Sequence, residues 1–318
     1  MGSFTFSIAL FLALQGTAAP PPGQRVDGKV IRPGRGRMDP VAGTWVTLHR
    51  VGTDRQSPLD SARTDARGRY SFRYLRTGRD DAIYFVSASY DGIAYFSSPL
   101  QSASVTGTDA EITVFDTTSR HVPITVRGHH LVFSSVDENA MRSVTEVYDL
   151  ANDSSVTKIA SGTGPAQAVW SARMLPGATG PAVREGDFPA AAVAFDRDRV
   201  ALFAPLAPGL KQLAFEYSLP AKSFPLSVPT LEPTSVFEVM LEEKAGTATG
   251  SRLKEVVSVT FDQRSFRRFL ASDVPVNSVA TIDLPASPRA VDSRYLVALT
   301  IALGGVMIAV LAWALRRQ

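Results

Sequence analysis

The chain has 318 residues, a formal charge of +3 and no cysteine. So small a charge excludes the concentrated basic surface that nucleic-acid binding needs. The lack of thiols excludes a disulfide framework, a thiolate metal site and c-type haem attachment. Abundant Ala, Arg, Gly and Pro with little Lys reads as bacterial, and an exported chain without disulfides suits a periplasm better than an animal cell surface.

In chain order, Phe4 to Leu14 form an apolar run too short to span a bilayer, followed by Thr17-Ala18-Ala19 with the small residues of a signal-peptidase site. Residues 1–19 are therefore predicted to be a secretory leader. No Lys or Arg precedes the run, which leaves retention of the leader as an anchor open. Residues 24–118 break into short β-branched and aromatic runs separated by Gly, Pro and Asp, and seven strands fit. Ile83 to Tyr90 and Ile93 to Ser97 are separated by Asp91-Gly92, a dipeptide that accepts positive φ in a type I′ hairpin. Thr64-Asp65 through Gly68 reads as an Asx-type turn before a strand whose Tyr70, Phe72 and Tyr74 share one face. Arg67, Arg69 and Arg73 fall on the opposite face, giving a candidate partner surface.

Residues 120–286 continue with β signals and no helical period. Strands are predicted at Val122–Val126, His130–Val136, Val144–Leu150, Ala168–Leu175, Leu210–Leu219, Val236–Leu241 and Val256–Phe261, forming a second β-sandwich. The proline-rich interval from Pro205 to Pro233 is expected to hold loops and edge strands, because proline cannot donate to a central ladder. Tyr295 to Leu315 carry no charge over twenty-one residues, enough for a transmembrane helix, and Arg316 and Arg317 lie in a three-residue tail, 316–318, placed in the cytoplasm. Within that span Ala298, Ala302, Gly305, Ala309 and Ala312 align small residues on one helix face, a candidate helix-packing interface. The predicted fold class is thus all-β, two consecutive sandwiches followed by one C-terminal transmembrane helix.

The stretches Val26-Asp27-Gly28-Lys29-Val30, Pro40-Val41-Ala42-Gly43-Thr44-Trp45-Val46-Thr47-Leu48, and Thr64-Asp65 with Gly68, Tyr70 and Phe72 resemble the carboxypeptidase regulatory-like domain, a transthyretin-like sandwich. The resemblance covers about a third of the chain and implies an accessory module that folds, spaces or binds without doing chemistry. The chain departs from that pattern by an arginine-bearing loop, Arg32 to Arg37.

Catalytic motifs are not found. The histidines, at 49, 121, 129 and 130, show no His-Glu-x-x-His spacing, and adjacent His129 and His130 on a strand point to opposite faces, so no metal site is predicted. No Gly-x-Ser-x-Gly elbow is present. Asp196-Arg197-Asp198-Arg199 reads as a solvated turn, and Asp80, Asp81 and Asp65 as too few oxygens for calcium. Lys29, the sole lysine of the first domain, offers little for an isopeptide cross-link. No cofactor is expected. The reading is a non-enzymatic structural or accessory subunit facing the periplasm from a bacterial cytoplasmic membrane, scaffolding a larger membrane assembly such as an electron-transfer, cytochrome or photosynthetic reaction-centre complex. The alternative is a membrane-anchored binding protein for glycan or peptide.

Overall fold

The computed structural model describes residues 23–261 and 263–286. The predicted leader, tail and transmembrane span, with Ala298, Ala302, Gly305, Ala309 and Ala312, lie outside the described residues. No helix among the described residues is long and apolar enough to cross a membrane. What is described is all-β, and it divides at Val114–Phe115 into two compact units.

The first unit holds β1 (Gln24–Pro33), β2 (Met38–Pro40), β3 (Trp45–Val51), β4 (Gln56–Arg63), β5 (Arg69–Tyr74), β6 (Ile83–Tyr90), β7 (Ile93–Phe96) and β8 (Ser104–Thr113). β1 pairs antiparallel with β2 and β5 and parallel with β8, while the second sheet runs β4-β3-β6-β7. Period-2 alternation sets the core: Val26 and Val30, Tyr70, Phe72 and Tyr74, Val46 and Leu48, and Tyr84, Val86 and Ala88 are all buried. The hairpin is as expected, with Asp91 at φ 50° and Gly92 at φ 76°. Asp65 Oδ1 accepts the amides of Arg67 and Arg69 at 2.8 Å each, closing the Asx turn, and Gly68 supplies φ 73°. The predicted loop Arg32 to Arg37 is shorter than expected. Arg32 and Pro33 extend β1 and pair with β2, leaving a tight turn in which the Gly34 amide donates to Arg37 O.

Gly28 shows why a glycine stands in the first motif. It lies opposite Tyr70, whose ring passes over β1 so that its hydroxyl donates to Ala110 O of β8 at 2.6 Å. A Cβ at Gly28 would fall on that carbonyl and on the ring. The Gly28→Ala variant is expected to lose about 2–3 kcal/mol through overpacking, read as a lowered urea midpoint of the isolated residues 24–114. An unchanged midpoint would show that the sheet yields at no cost.

The second unit contains β9 (Thr117–Thr118), β10 (Ile124–Phe133), β11 (Met141–Asn152), β12 (Thr157–Lys158), β13 (Trp170–Arg173), β14 (Thr179–Val183), β15 (Val193–Asp196) and β16 (Arg199–Leu202). It continues with β17 (Gly209–Pro220), β18 (Leu226–Pro229), β19 (Thr234–Leu241), β20 (Thr247–Gly250), β21 (Lys254–Phe261), β22 (Arg264–Val274) and β23 (Val279–Asp283). A seven-stranded sheet, ordered β14-β17-β11-β10-β19-β22-β21, presents Leu131 and Phe133, Val144 and Leu150, Phe215 and Tyr217, and Phe237 and Val239 to the core. Two three-stranded sheets, β13-β16-β15 and β18-β23-β20, contribute Trp170, Val200, Leu202, Val228, Ala280 and Ile282 to that same core.

Two predicted strands, Val122–Val126 and His130–Val136, are one strand, β10. Its pairing shifts between Val126 and Gly128, and the bulge leaves Arg127 exposed. The extra residue reverses the alternation, so Val126 faces the core before the bulge and His129, Leu131 and Phe133 face it afterwards. A phase reversal looks like a strand break in sequence. The interval from Pro205 to Pro233 also holds more than loops and edges. Gly209–Pro220 lies inside the large sheet between β14 and β11, because the prolines stand outside it or at its last residue. Only β18 in that interval is an edge strand. Ala168–Leu175 shortens to Trp170–Arg173.

Candidate functional site

The two small sheets meet the large one around a cleft of about 700 Å³. Its lining includes Val126 and His129 of β10, Glu146 and Tyr148 of β11, and Thr234 of β19. One wall is the continuous run Trp170–Pro176, which is β13 and its exit, and the other is Ser227–Glu232, most of β18 and its exit. A shallower hollow of about 1050 Å³ shares Val126, Trp170, Ser171, Arg199 and Glu232 with it and adds His121 and Lys158.

Glu146 sits at the inward phase of β11 and is 1% exposed. Its carboxyl oxygens accept from His129 Nε2 at 2.8 Å, from the Tyr148 hydroxyl at 2.7 Å and from the Tyr217 hydroxyl at 2.8 Å. Burial first, and the Glu146 charge second, push both tyrosine pKa values well above the ordinary 10, so both phenols remain donors. The His129 ring stacks on Tyr148 with centroids 4.2 Å apart, and Tyr148 leans on Trp170 at 4.7 Å. These contacts hold one rigid aromatic group beside the cleft.

The remaining polar groups are less satisfied. The buried Trp170 indole N–H has no hydrogen-bond partner in the described structure, although it lies near enough to Glu232 to favour the ionised form of that carboxyl. Glu232 is open to solvent on its own surface yet crowded by protein, and burial outweighs the indole to raise its pKa. Arg199 Nη1 donates to Ser171 Oγ at 2.9 Å. The cleft therefore combines aromatic faces, apolar side chains including Met174, Leu175 and Val228, and a few polar side chains, Ser171, Arg199 and Glu232 among them. That is the composition of a site that binds.

Arg67, Arg69 and Arg73 are exposed on the outer side of the first unit, with Arg69 and Arg73 on β5. Arg69 is committed to Asp65 at 2.9 Å, and Arg73 lies opposite Arg25, itself bonded to Asp27. The face carries interleaved charge, with Lys29 2.9 Å from Glu111. Asp196-Arg197-Asp198-Arg199 is the predicted turn, a two-residue hairpin between β15 and β16. Asp81 is held by Thr53 and Arg79, and among the described residues no three His, Cys, Asp or Glu side chains gather as a metal site.

His130, adjacent to His129, faces the other side of the sheet. Its Nδ1 lies 2.8 Å from Glu238 and its Nε2 3.3 Å from Asp149, while Arg268 Nε donates to Glu238 at 2.7 Å. The Glu238 hydrogen bond, with help from Asp149, raises the imidazole pKa above its ordinary 6.5, and the His130 hydrogen bond lowers the Glu238 carboxyl below its ordinary 4.5. The histidine contribution is full below pH 6.5 and fades as pH rises through the raised value. The carboxylate contribution is full above pH 4.5 and fades as pH falls through the lowered one. The pair is thus expected to stabilise most between about pH 4.5 and 6.5. Unfolding free energies from urea titration should decline above that window by about 1 kcal/mol or less, and His130→Gln should flatten the decline; identical profiles would remove the pair from the account.

No family model and no curated protein matches the chain. Among solved structures, an M1 zinc metallopeptidase from Deinococcus radiodurans aligns at 12% identity and a TM-score of 0.32, over 50% of this chain and 42% of that one. The major pilin subunit of Bacillus cereus aligns at 13% identity and a TM-score of 0.21, over 81% and 86%. The chain thus spans less than half of the peptidase it aligns with.

Proposed function

We propose that the chain is a non-enzymatic accessory subunit, tethered at a bacterial cytoplasmic membrane with its body in the periplasm, whose second unit recruits a partner into a larger membrane assembly. The observation that supports this most directly is the cleft itself, with continuous backbone on both walls, rigid aromatics and incompletely satisfied polar groups. The first unit fits the role of a regulatory-like spacer, since its Gly28, Asp65 and Tyr70 each perform a local structural task. Mild-detergent extraction and a native gel test the reading: the chain should migrate with a large complex, and migration alone as a monomer would defeat it.

A glycan-binding reading is favoured by the Trp170 and Tyr148 rings beside Glu232, since sugars stack on rings and donate hydroxyls to carboxylates. Binding of neutral oligosaccharides to residues 24–286, lost in Trp170→Ala, would move the assignment there.

A further inference from the structure

We propose that the cleft takes an extended peptide by strand addition, the peptide lying between β13 and β18 with a lysine or arginine reaching Glu232. The proposal rests on the partner-recruiting role and names the chemistry of the partner. β13 pairs only with β16, and β18 only with β23, among the described strands, so each is the edge of its small sheet. Both edges line the same cleft.

The hydrogen-bond phase says which groups face it. The Met174 amide donates to Asp198 O at 2.7 Å, continuing the register in which Ala172 faces Val200 and Trp170 faces Leu202. In an antiparallel ladder, bonded and outward-facing residues alternate, so Ser171 and Arg173 direct their N–H and C=O away from β16. On the other wall the Thr230 amide donates to Ser278 O at 2.8 Å, in register with Val228 opposite Ala280. Ser227 and Pro229 then face away from β23. All four outward residues line the cleft. Pro229 has no amide to offer, so that wall supplies the Ser227 donor and two carbonyls.

Size agrees with the pairing. A residue of a sheet layer fills about 160 Å³, from about 3.3 Å of rise, 4.8 Å between strands and 10 Å between layers. The 700 Å³ cleft therefore holds about four residues, the length of β13 and of β18. One side chain in two would turn to the rings of His129, Tyr148 and Trp170 and to Val126, Met174 and Val228, which calls for alternating apolar residues. The charge follows from Glu232, whose carboxylate has no ion pair among the described residues and is destabilised by its surroundings. A cation beside it relieves both.

The test uses the full chain in mild detergent against an array of ten-residue linear peptides with alternating apolar residues and a lysine scanned through them. Binders with the alternation are expected, and N-methylation of their central amides should weaken binding at least tenfold. Ser227→Pro, tolerable at an edge strand, should weaken binding by a similar factor at an unchanged melting temperature. Glu232→Gln should weaken lysine-bearing peptides more than their leucine counterparts. Undiminished binding of the N-methylated peptides would overturn strand addition whether or not the proline variant folds. No peptide binding alongside a complex on the native gel would overturn this proposal and leave the recruiting role standing; no binding and no complex would end both.

Discussion

Replacing Glu146 with alanine is expected to cost the second unit about 4 kcal/mol, measured as urea-unfolding free energy of residues 115–286. The carboxylate is 1% exposed and is the shared acceptor of His129, Tyr148 and Tyr217. Its removal leaves three buried donors facing a void, and each unsatisfied buried donor costs about 1–3 kcal/mol, with some relief as water enters from the cleft. Glu146→Gln keeps the volume but accepts through a single oxygen and brings an amide NH2 donor among donors, so it should lose about half as much. Tyr217→Phe deletes one donor and leaves the carboxylate two others, which should cost about 1 kcal/mol. The ordering Ala, Gln, then Phe is the diagnostic result. If Glu146→Ala were no worse than Tyr217→Phe, the trio would be incidental to stability. Because Glu146, His129 and Tyr148 line the cleft beside Trp170, the alanine variant should also alter Trp170 fluorescence in the folded state.

Much of this unit was readable in the sequence because period-2 alternation survives wherever a strand has one wet and one dry face. Val144 to Leu150 was placed by that pattern, and the pattern already carried the missing site. Val144, Glu146, Tyr148 and Leu150 are in one phase, so a strand with a dry face at Tyr148 places Glu146 inside. A carboxylate at a core phase is the local signal of this site, and it has no fixed spacing to its partners that a motif could hold. Other parts were not local in that sense. The bulge at Arg127 inverts the phase within β10, so the inward position of His129 depends on pairing with β11 rather than on its own neighbours. Glu232 and Trp170 are 62 residues apart and meet because two small sheets leave an unpaired gap. In the first unit the turns at Asp65 and Asp91 were legible because their chemistry is contained in a few consecutive residues.

Arg142→Ala should be nearly as costly, about 3–5 kcal/mol in the same measurement, with a local signature that the Glu146 variants lack. The guanidinium is fully buried on β11. Nη1 donates to Ser134 O at 2.7 Å and Nη2 to Pro285 O at 2.6 Å, while Glu243 lies 3.7 Å away and the Phe224 ring centroid 5.6 Å from the guanidinium carbon. Burial lowers its pKa, opposed by the charges of Glu243 and Glu242, so the cation depends on these partners. Alanine would strand both carbonyls and open an arginine-sized cavity, whereas Arg142→Met fills the volume without donors. The methionine variant should therefore recover at least half of the lost stability and still release Pro285. Limited proteolysis of the full chain separates the two effects: both variants should be cut faster within Leu284–Ala286, and only alanine should fall far in urea. Equal protection of that segment in wild type and both variants would show that Arg142 does not fasten it. This guanidinium holds the last described residues against β11, and releasing it should free Leu284–Ala286 while leaving Glu146 and its three donors in place.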